Sequence, residues 1–256
     1  MPNFSEAGLL ISPTRVIFEE RERSASVALV NTSNETTSYR IQFIENRQKS
    51  DRSYQLLNTE KDDMSGLFPA ADIIRYSPRQ VTLAPGERQT IRLRLRKPPN
   101  LPRGEYRSHL TFYQLPNPTT LEQNKDKGAG MRIFMLTGFS IPVQVWQGDL
   151  NTRLSISDLA MQPNADDLSQ LTMKLNRSGD FSAVGKLTAY WRANSRQPYQ
   201  EVTFLNNVAV YRENKQVSVS LNLPKDTPTS GQYKVTFTPD KAYPQSLATE
   251  ATLTLP

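Results

Sequence analysis

The side chains that most often perform catalysis are scarce in this chain. It has no cysteine and a single histidine, His109, so a thiol nucleophile is excluded and any Ser-His-Asp arrangement would have to use His109. No serine lies in a G-x-S-x-G motif, and the stretches GAG and SGD match neither dinucleotide-binding nor P-loop spacing. His109 lies on the polar parity of the stretch EYRSHLTF, which predicts an exposed strand residue. The sequence therefore favours a protein that is not an enzyme and has no cofactor.

Metal binding has equally little support in the sequence. A metal site needs several histidines or carboxylates that converge on one point. The adjacent pairs Asp62-Asp63 and Asp166-Asp167 lie in loop-like segments, where neighbouring side chains on an extended backbone point apart. We expect both pairs to be solvated loop residues, and we expect no metal site.

Arginine is the charged residue with a clear spacing. Every second residue is basic in RLRLRK, so Arg92, Arg94 and Arg96 share one strand face with Arg88. No aromatic residues interleave with this stripe, which argues against single-stranded nucleic acid as the partner. A solvated outer face and a protein-docking surface both remain open. The net charge of +6 does not decide between them, because a basic surface can be simply solvated or can bind an acidic partner.

The elements that must position these residues have a period of two. Tyr39, Ile41 and Phe43 share one parity, and helical periodicity is nowhere sustained. Roughly seven strands fit residues 9–146, and the pattern restarts after a polar break for about seven more. The prediction is all-β, with two Ig-like β-sandwich domains, 1–146 and 147–256, in a bent arrangement.

The stretch GAGMRIFMLTGFSIPVQVW is more apolar than one buried face requires. Met131, Ile133, Met135 and Phe139 share one parity, and the first half of the run is apolar on both parities. No run is long enough to span a membrane. A strand of this composition either folds back onto its own domain or is covered by a partner chain.

Several blocks together resemble a known family. They are ISPTRVIF, VALVNTSNETTSYRIQF, YSPRQVTLAPGERQTIRLRLRKPPNLPRGEYRSHLTF and SIPVQVW, and they resemble the PapD-like periplasmic chaperones of pilus (fimbrial) chaperone–usher pathways. The resemblance covers nearly all of the first domain. It implies a periplasmic chaperone with two Ig-like domains, which lends its G1 strand to a pilus subunit and delivers that subunit to an outer-membrane usher.

The resemblance also implies site residues. Arg15 in PTRV matches the first-strand arginine that grips the subunit's C-terminal carboxylate, and Met131, Ile133 and Met135, with Phe139, match the donor strand. The family's last-strand lysine is missing near Ser140. Arg92, Arg107 and Arg132 are its candidate replacements, with Arg92 and Arg107 preferred. The wording of GEYRSHLTF and SIPVQVW is similar to the archaic or alternative branch of these chaperones.

Two other functions stay open on the residues alone. One is a PapD-like protein-binding adaptor that donates no strand, and the other is a carbohydrate-binding β-sandwich. Self-association through the donor strand is a further interaction that the apolar run allows. The expected partners are pilus subunits and an usher, without nucleic acid and without insertion in a membrane.

Overall fold

A computed structural model describes residues 8–116, 138–163 and 169–256, and their regular structure is almost entirely β. Two short 3-10 helices, Ala71–Ile73 and Gln245–Leu247, accompany the strands. The strands are, in chain order, β1 (Leu9–Ser12), β2 (Val16–Phe18), β3 (Ser24–Asn31), β4 (Thr37–Gln48), β5 (Tyr54–Leu57), β6 (Ile74–Ser77), β7 (Gln80–Leu83), β8 (Arg88–Leu95), β9 (Gly104–Gln114), β10 (Gly138–Gln147), β11 (Arg153–Pro163), β12 (Ser169–Ser178), β13 (Ala183–Arg192), β14 (Gln200–Val210), β15 (Gln216–Asn222), β16 (Gly231–Pro239) and β17 (Thr249–Leu255).

The described residues fold as two compact units. The second unit holds Arg47–Gln55, Ser65–Leu67 and the described part of Gly148–Pro256, and the other described residues form the first unit. Each unit contains two sheets around its own apolar core. The predicted all-β class with two Ig-like sandwiches is confirmed.

The first unit packs a four-stranded sheet, in the order β1-β3-β8-β6, against a larger sheet in the order β2-β10-β9-β4-β5, with β7 paired to β4. Strand β2 runs parallel to β10, whereas β10 and β4 both run antiparallel to β9. Leu29 and Ile91 on one sheet and Phe112 and Val143 on the other are fully buried in the core between them.

The alternation seen in the sequence marks the buried face of β8. Ile91, Leu93 and Leu95 are buried, whereas Arg92 and Arg94 between them are exposed. The first unit has more strands than the roughly seven predicted, because several of its strands are only three or four residues long. Elements that short do not contain enough residues to show a period of two.

The second unit has the seven strands predicted for it, β11 to β17, within its described residues. Three of them form a sheet in the order β11-β12-β15, and four form a sheet in the order β14-β13-β16-β17. Leu175 and Val217 on the smaller sheet and Leu187 and Phe237 on the larger one lie in the core.

A segment from the first half of the sequence is built into this second unit. Gln48, only 2% exposed, donates from Nε2 to the carbonyl oxygen of Ala209 at 3.0 Å. Its Oε1 accepts the backbone N–H of Tyr211 at 3.1 Å, and its carbonyl oxygen accepts from Nδ2 of Asn214 at 2.8 Å. A buried amide needs such partners, so Gln48 acts as a structural link within the second unit.

Candidate anion-binding site

Three strands of the larger sheet of the first unit bring the candidate site residues together. Val16 at the start of β2 lies opposite Val143 of β10, so Arg15 lies beside the preceding β10 residue, Pro142. On the other side of β10, Gln144 lies opposite Arg107 of β9. Because residues directly opposite each other across a ladder share one face of the sheet, this register places the side chains on the face turned away from the core.

The cluster on that face consists of Arg15, Arg107, His109 and Gln144, and we call it the basic cluster. Nη1 of Arg15 donates to Oε1 of Gln144 at 3.2 Å, and Nη2 of Arg107 donates to the carbonyl oxygen of Asn46 at 3.0 Å. Arg107, His109 and Gln144 are at most 6% exposed, whereas Arg15 is only half-buried. Arg15 is therefore the member that a ligand reaches first.

The positive charges of the basic cluster are the guanidinium groups of Arg15 and Arg107, because His109 is neutral near pH 7. Burial, followed by the positive charges of Arg107 and Arg15, lowers the pKa of His109 to about 3. The imidazole is therefore neutral near pH 7. Buried Glu105 lies two residues before Arg107 on the same face of β9. A carboxylate suits the half-buried Arg15, because a guanidinium donates two charge-assisted hydrogen bonds in a fixed fork.

The burial of His109 corrects the prediction that it is an exposed strand residue. Residues Gly104 to Phe112 of β9 are buried on both parities, and His109 is 5% exposed. Alternation identifies the face that packs in the core, but it does not show whether the other face meets solvent. Strand β9 lies inside its sheet, between β10 and β4, and its polar face is covered as well.

The other predicted site residues are not gathered around Arg15 in the described structure. Arg92 is exposed on β8, in the four-stranded sheet, opposite Ser26 and Ser77. Phe139 lies opposite Phe112 and packs against the core of the first unit. Met131, Arg132, Ile133 and Met135 lie outside the described residues.

Gln144 and His109 are members of the cluster that sequence reasoning missed as site residues. The sequence does contain a signal for Gln144, because it is a polar residue between two apolar ones in IPVQVW. A polar side chain in so apolar a strand needs a hydrogen-bonding partner when it is buried. Gln144 is fully buried, and Arg15 is its partner.

Lowering the pH should destabilise the first unit through His109. An unfolded histidine has a pKa of about 6.5, whereas the pKa of folded His109 is about 3. Between these values the unfolded chain binds a proton that the folded chain excludes, so stability falls as the pH falls through this window. When the pH is lowered from about 7 to about 4, the unfolding free energy of the wild type should fall by about 3 kcal/mol more than that of His109→Gln, which has no imidazole to protonate. Urea unfolding followed by NMR signals of the first unit measures this, and equal losses in the two proteins would contradict it.

The described residues contain neither a metal-binding cluster nor a membrane-spanning helix. Within residues 8–116, 138–163 and 169–256, no group of three or more histidine, aspartate or glutamate side chains could hold a metal ion. The same ranges contain no helix with the length and apolar character needed to cross a membrane.

Comparison with known proteins identifies one family. A family model described as pili and flagellar-assembly chaperone, PapD N-terminal domain, matches residues 8–143. No curated protein sequence matches the chain.

Solved structures similar to this chain at low sequence identity include two chaperones and a chain of a chaperone–subunit complex. The YadV chaperone is 13% identical, with a TM-score of 0.48 over 96% of this chain and 100% of its own. The CupB2 chaperone of Pseudomonas aeruginosa is 12% identical, with a TM-score of 0.46 over 96% of this chain and 100% of its own. A chain from the CsuC–CsuE chaperone–tip adhesion subunit complex of Acinetobacter baumannii is 17% identical, with a TM-score of 0.43 over 90% of this chain and 93% of its own.

Proposed function

Because the chain belongs to the PapD family of pili and flagellar-assembly chaperones, we propose that it binds pilus subunits in the periplasm by donor-strand complementation and delivers them to an outer-membrane usher. Members of this family are assembly chaperones and not enzymes. Donor-strand complementation between a chaperone and a pilin is a known case of strand addition. Geometry in the first unit supports the proposal.

Within the described residues, strand β10 has one edge that is unpaired along half of its length. It pairs with β9 from Gly138 to Gln147, but with β2 only from Val143 to Val145. Among the described residues, the part from Gly138 to Pro142 therefore has a β partner on one side alone. An open edge presents unpaired N–H and C=O groups to which an extended segment of another chain can add.

The observation that carries the proposal is that this open edge ends at Arg15. A strand added beside Gly138 to Pro142 would stop where β2 begins, and Arg15 immediately precedes β2. If the added strand runs in the same direction as β10, its last residue reaches Arg15. The C-terminal carboxylate of a subunit would then meet the exposed part of a guanidinium that Gln144 orients at 3.2 Å.

We assign the second anchor to Arg107 and not to Arg92. Arg107 shares its sheet and its face with Arg15, whereas Arg92 lies on the other sheet. The donor residues proposed here are Met131, Ile133 and Met135, which precede β10 in the sequence. Phe139 already packs against the core of its own unit, so it contributes less to a subunit.

The test is co-purification of a pilus subunit with Arg15 variants. A candidate pilin is co-expressed with the wild type, Arg15→Lys or Arg15→Ala, and the recovered subunit is quantified. Losing a charge-assisted bidentate contact costs about 1.5–3 kcal/mol, so Arg15→Ala should lower subunit recovery about tenfold or more at limiting concentration. Arg15→Lys should retain part of the recovery because it keeps the charge but not the fork.

Arg94→Ala is the matched control, since Arg94 is exposed on β8 in the other sheet. Arg92→Ala tests the alternative second anchor, and Arg107→Met tests the assigned one, with thermal melting to report any loss of folding. Equal recovery with Arg15→Ala and Arg94→Ala would overturn the carboxylate anchor.

A further inference from the structure

A pocket of about 780 Å³ lies in the first unit, and Ile44 in its lining lies opposite His109 of the basic cluster across the β4–β9 ladder. It is bounded by parts of β4 and β5 and by the segments that follow β5. Its volume is typical of pockets that hold a ligand group. Its lining combines apolar and acidic side chains. The apolar ones used below are Leu56, Leu57 and Met64, and the acidic ones are Glu45, Asp62 and Asp72. We call this cavity the acidic pocket.

Glu45 is the buried carboxyl group of the acidic pocket. It is 7% exposed, and its Oε1 accepts a hydrogen bond from Oγ of Ser108 at 2.5 Å. Burial is the main cause that raises the pKa of Glu45 to about 7, against the opposing effects of Ser108 and Arg107. Burial therefore destabilises the carboxylate form more than these contacts stabilise it, and a cation in the pocket would offset part of that cost.

The two other carboxyl groups add negative charge near the opening. Asp62 and Asp72 are both exposed. Asp62 accepts the backbone N–H of Asn58 at 2.7 Å, and negative charge on Asp72 adds to the raised pKa of Glu45. Ion pairs in the described part of the chain include Lys174–Asp158, Lys186–Glu201 and Lys234–Glu250. None of the described ion pairs involves a residue that lines the acidic pocket. Among the described residues, the three carboxyl groups of the acidic pocket therefore have no ion-pair partner, although the positive charge of Arg107 acts on Glu45.

We propose that the acidic pocket binds a lysine or arginine side chain presented by an extended segment of another polypeptide. The apolar walls suit the aliphatic stem of such a side chain, while the carboxyl groups suit its charged end. The chain as a whole carries a charge of +6, so long-range attraction does not favour a basic partner. Selection at this pocket is therefore local.

The position of β5 indicates why the occupant is a polypeptide. Leu56 and Leu57 belong to β5, which ends the strand order of its sheet, and among the described residues no strand pairs with its other edge. An extended backbone can add to such an edge. Leu56, 61% exposed, would then gain apolar cover from the added chain. Successive side chains of that chain alternate in direction, so one basic residue can enter the pocket while its neighbours point away.

The experiment uses two peptides of nearly the same shape, of which one carries a guanidinium cation and the other a neutral urea group with one donor nitrogen fewer. The probes are acetyl-Thr-Val-Arg-Val-Thr-amide and the same peptide with citrulline, a neutral isostere, in place of arginine. Each is titrated into the full chain, and the methyl signals of Met64 and Leu57 are followed by NMR. We expect saturable shifts with the arginine peptide and an affinity about tenfold weaker or more with the citrulline peptide.

Variants decide which groups select the charge. Glu45→Gln and Asp72→Asn should each weaken binding of the arginine peptide without changing that of the citrulline peptide. Asp72 is exposed, so its variant keeps the test valid if Glu45→Gln disturbs the fold. Asp226→Asn, at an exposed site in the second unit, is the control. Equal affinity for both peptides, or no saturable shift at Met64 and Leu57, would overturn the proposal. It does not rest on subunit capture by Arg15, which the co-purification experiment tests separately.

Discussion

Aspartate at both Ile133 and Met135 should abolish the recovery of a pilus subunit with this chain. In the proposed donor-strand complementation these side chains would enter an apolar groove of the subunit, and each would contribute ~1.5–3 kcal/mol through burial. An aspartate loses that contribution and also places an ionised carboxylate in an apolar site. The two changes together should lower affinity by at least about 100-fold. Co-purification with a co-expressed candidate pilin measures the effect.

A matched control separates strand donation from the added charge. Gln123→Asp/Asn124→Asp introduces the same negative charge upstream in the same stretch of sequence, at polar positions, and should leave recovery unchanged. An adaptor that donates no strand would bind its partner equally well with either double variant. Equal recovery of subunit with the wild type and with Ile133→Asp/Met135→Asp would exclude strand donation.

The parts of the fold that the sequence predicts are those set by neighbouring residues. Ile91, Leu93 and Leu95 are buried with exposed arginines between them, because successive side chains on a strand point to opposite faces. The same rule predicts the seven strands of the second unit. The alternation rule depends only on the local backbone, so it can be applied without knowing which distant segments pack against the strand.

The parts that the sequence did not predict depend on contacts between distant segments. His109 occupies a polar strand position, yet it is 5% exposed because both faces of β9 are covered. Gln48 looks like an ordinary polar residue at the end of a strand, yet it pairs with Ala209, Tyr211 and Asn214. The residue pattern around His109 and around Gln48 gives no sign of these contacts, because their partners lie far away in the sequence.

In the candidate site too, the sequence predicts some of the residues, and the sheet order is needed to choose between others. The family resemblance of PTRV predicts Arg15 as an anchor, and Arg107 is one of the two preferred candidates for the second anchor. Spacing alone did not separate Arg107 from Arg92, because both lie on strands with alternating patterns. The sheet order separates them, since β9 is two strands from β2 while β8 belongs to the other sheet.

Replacing Arg177 by methionine should cause the largest loss of stability in the second unit. Arg177 is 6% exposed, and its guanidinium donates to four backbone carbonyl oxygens, those of Asn214 at 3.0 Å, Gly179 at 2.8 Å, Phe181 at 2.9 Å and Arg212 at 2.7 Å. Methionine keeps the apolar stem but donates no hydrogen bond. The carbonyl oxygen of Phe181 keeps a second donor, Oγ1 of Thr152 at 2.7 Å, whereas the other three lose the guanidinium donor. A buried acceptor left without a donor costs about 1–3 kcal/mol. We expect a loss of about 4 kcal/mol and a melting temperature lower by about 10 °C or more.

Two further variants show that the geometry of the guanidinium, and not its charge, produces this stability. Arg177→Lys keeps the positive charge but has a single nitrogen, which cannot reach carbonyl groups on several sides at once, so it should recover only a small part of the loss. Arg153→Met removes an exposed arginine from β11, opposite Ser178, and should melt within about 1 °C of the wild type, because surface substitutions rarely change stability by much. If Arg177→Lys melted like the wild type, charge alone would account for the effect. If Arg177→Met melted like the wild type, the carbonyl groups of Asn214, Gly179 and Arg212 would have other donors, and the loop that joins β12 to β13 would hold its conformation without this side chain.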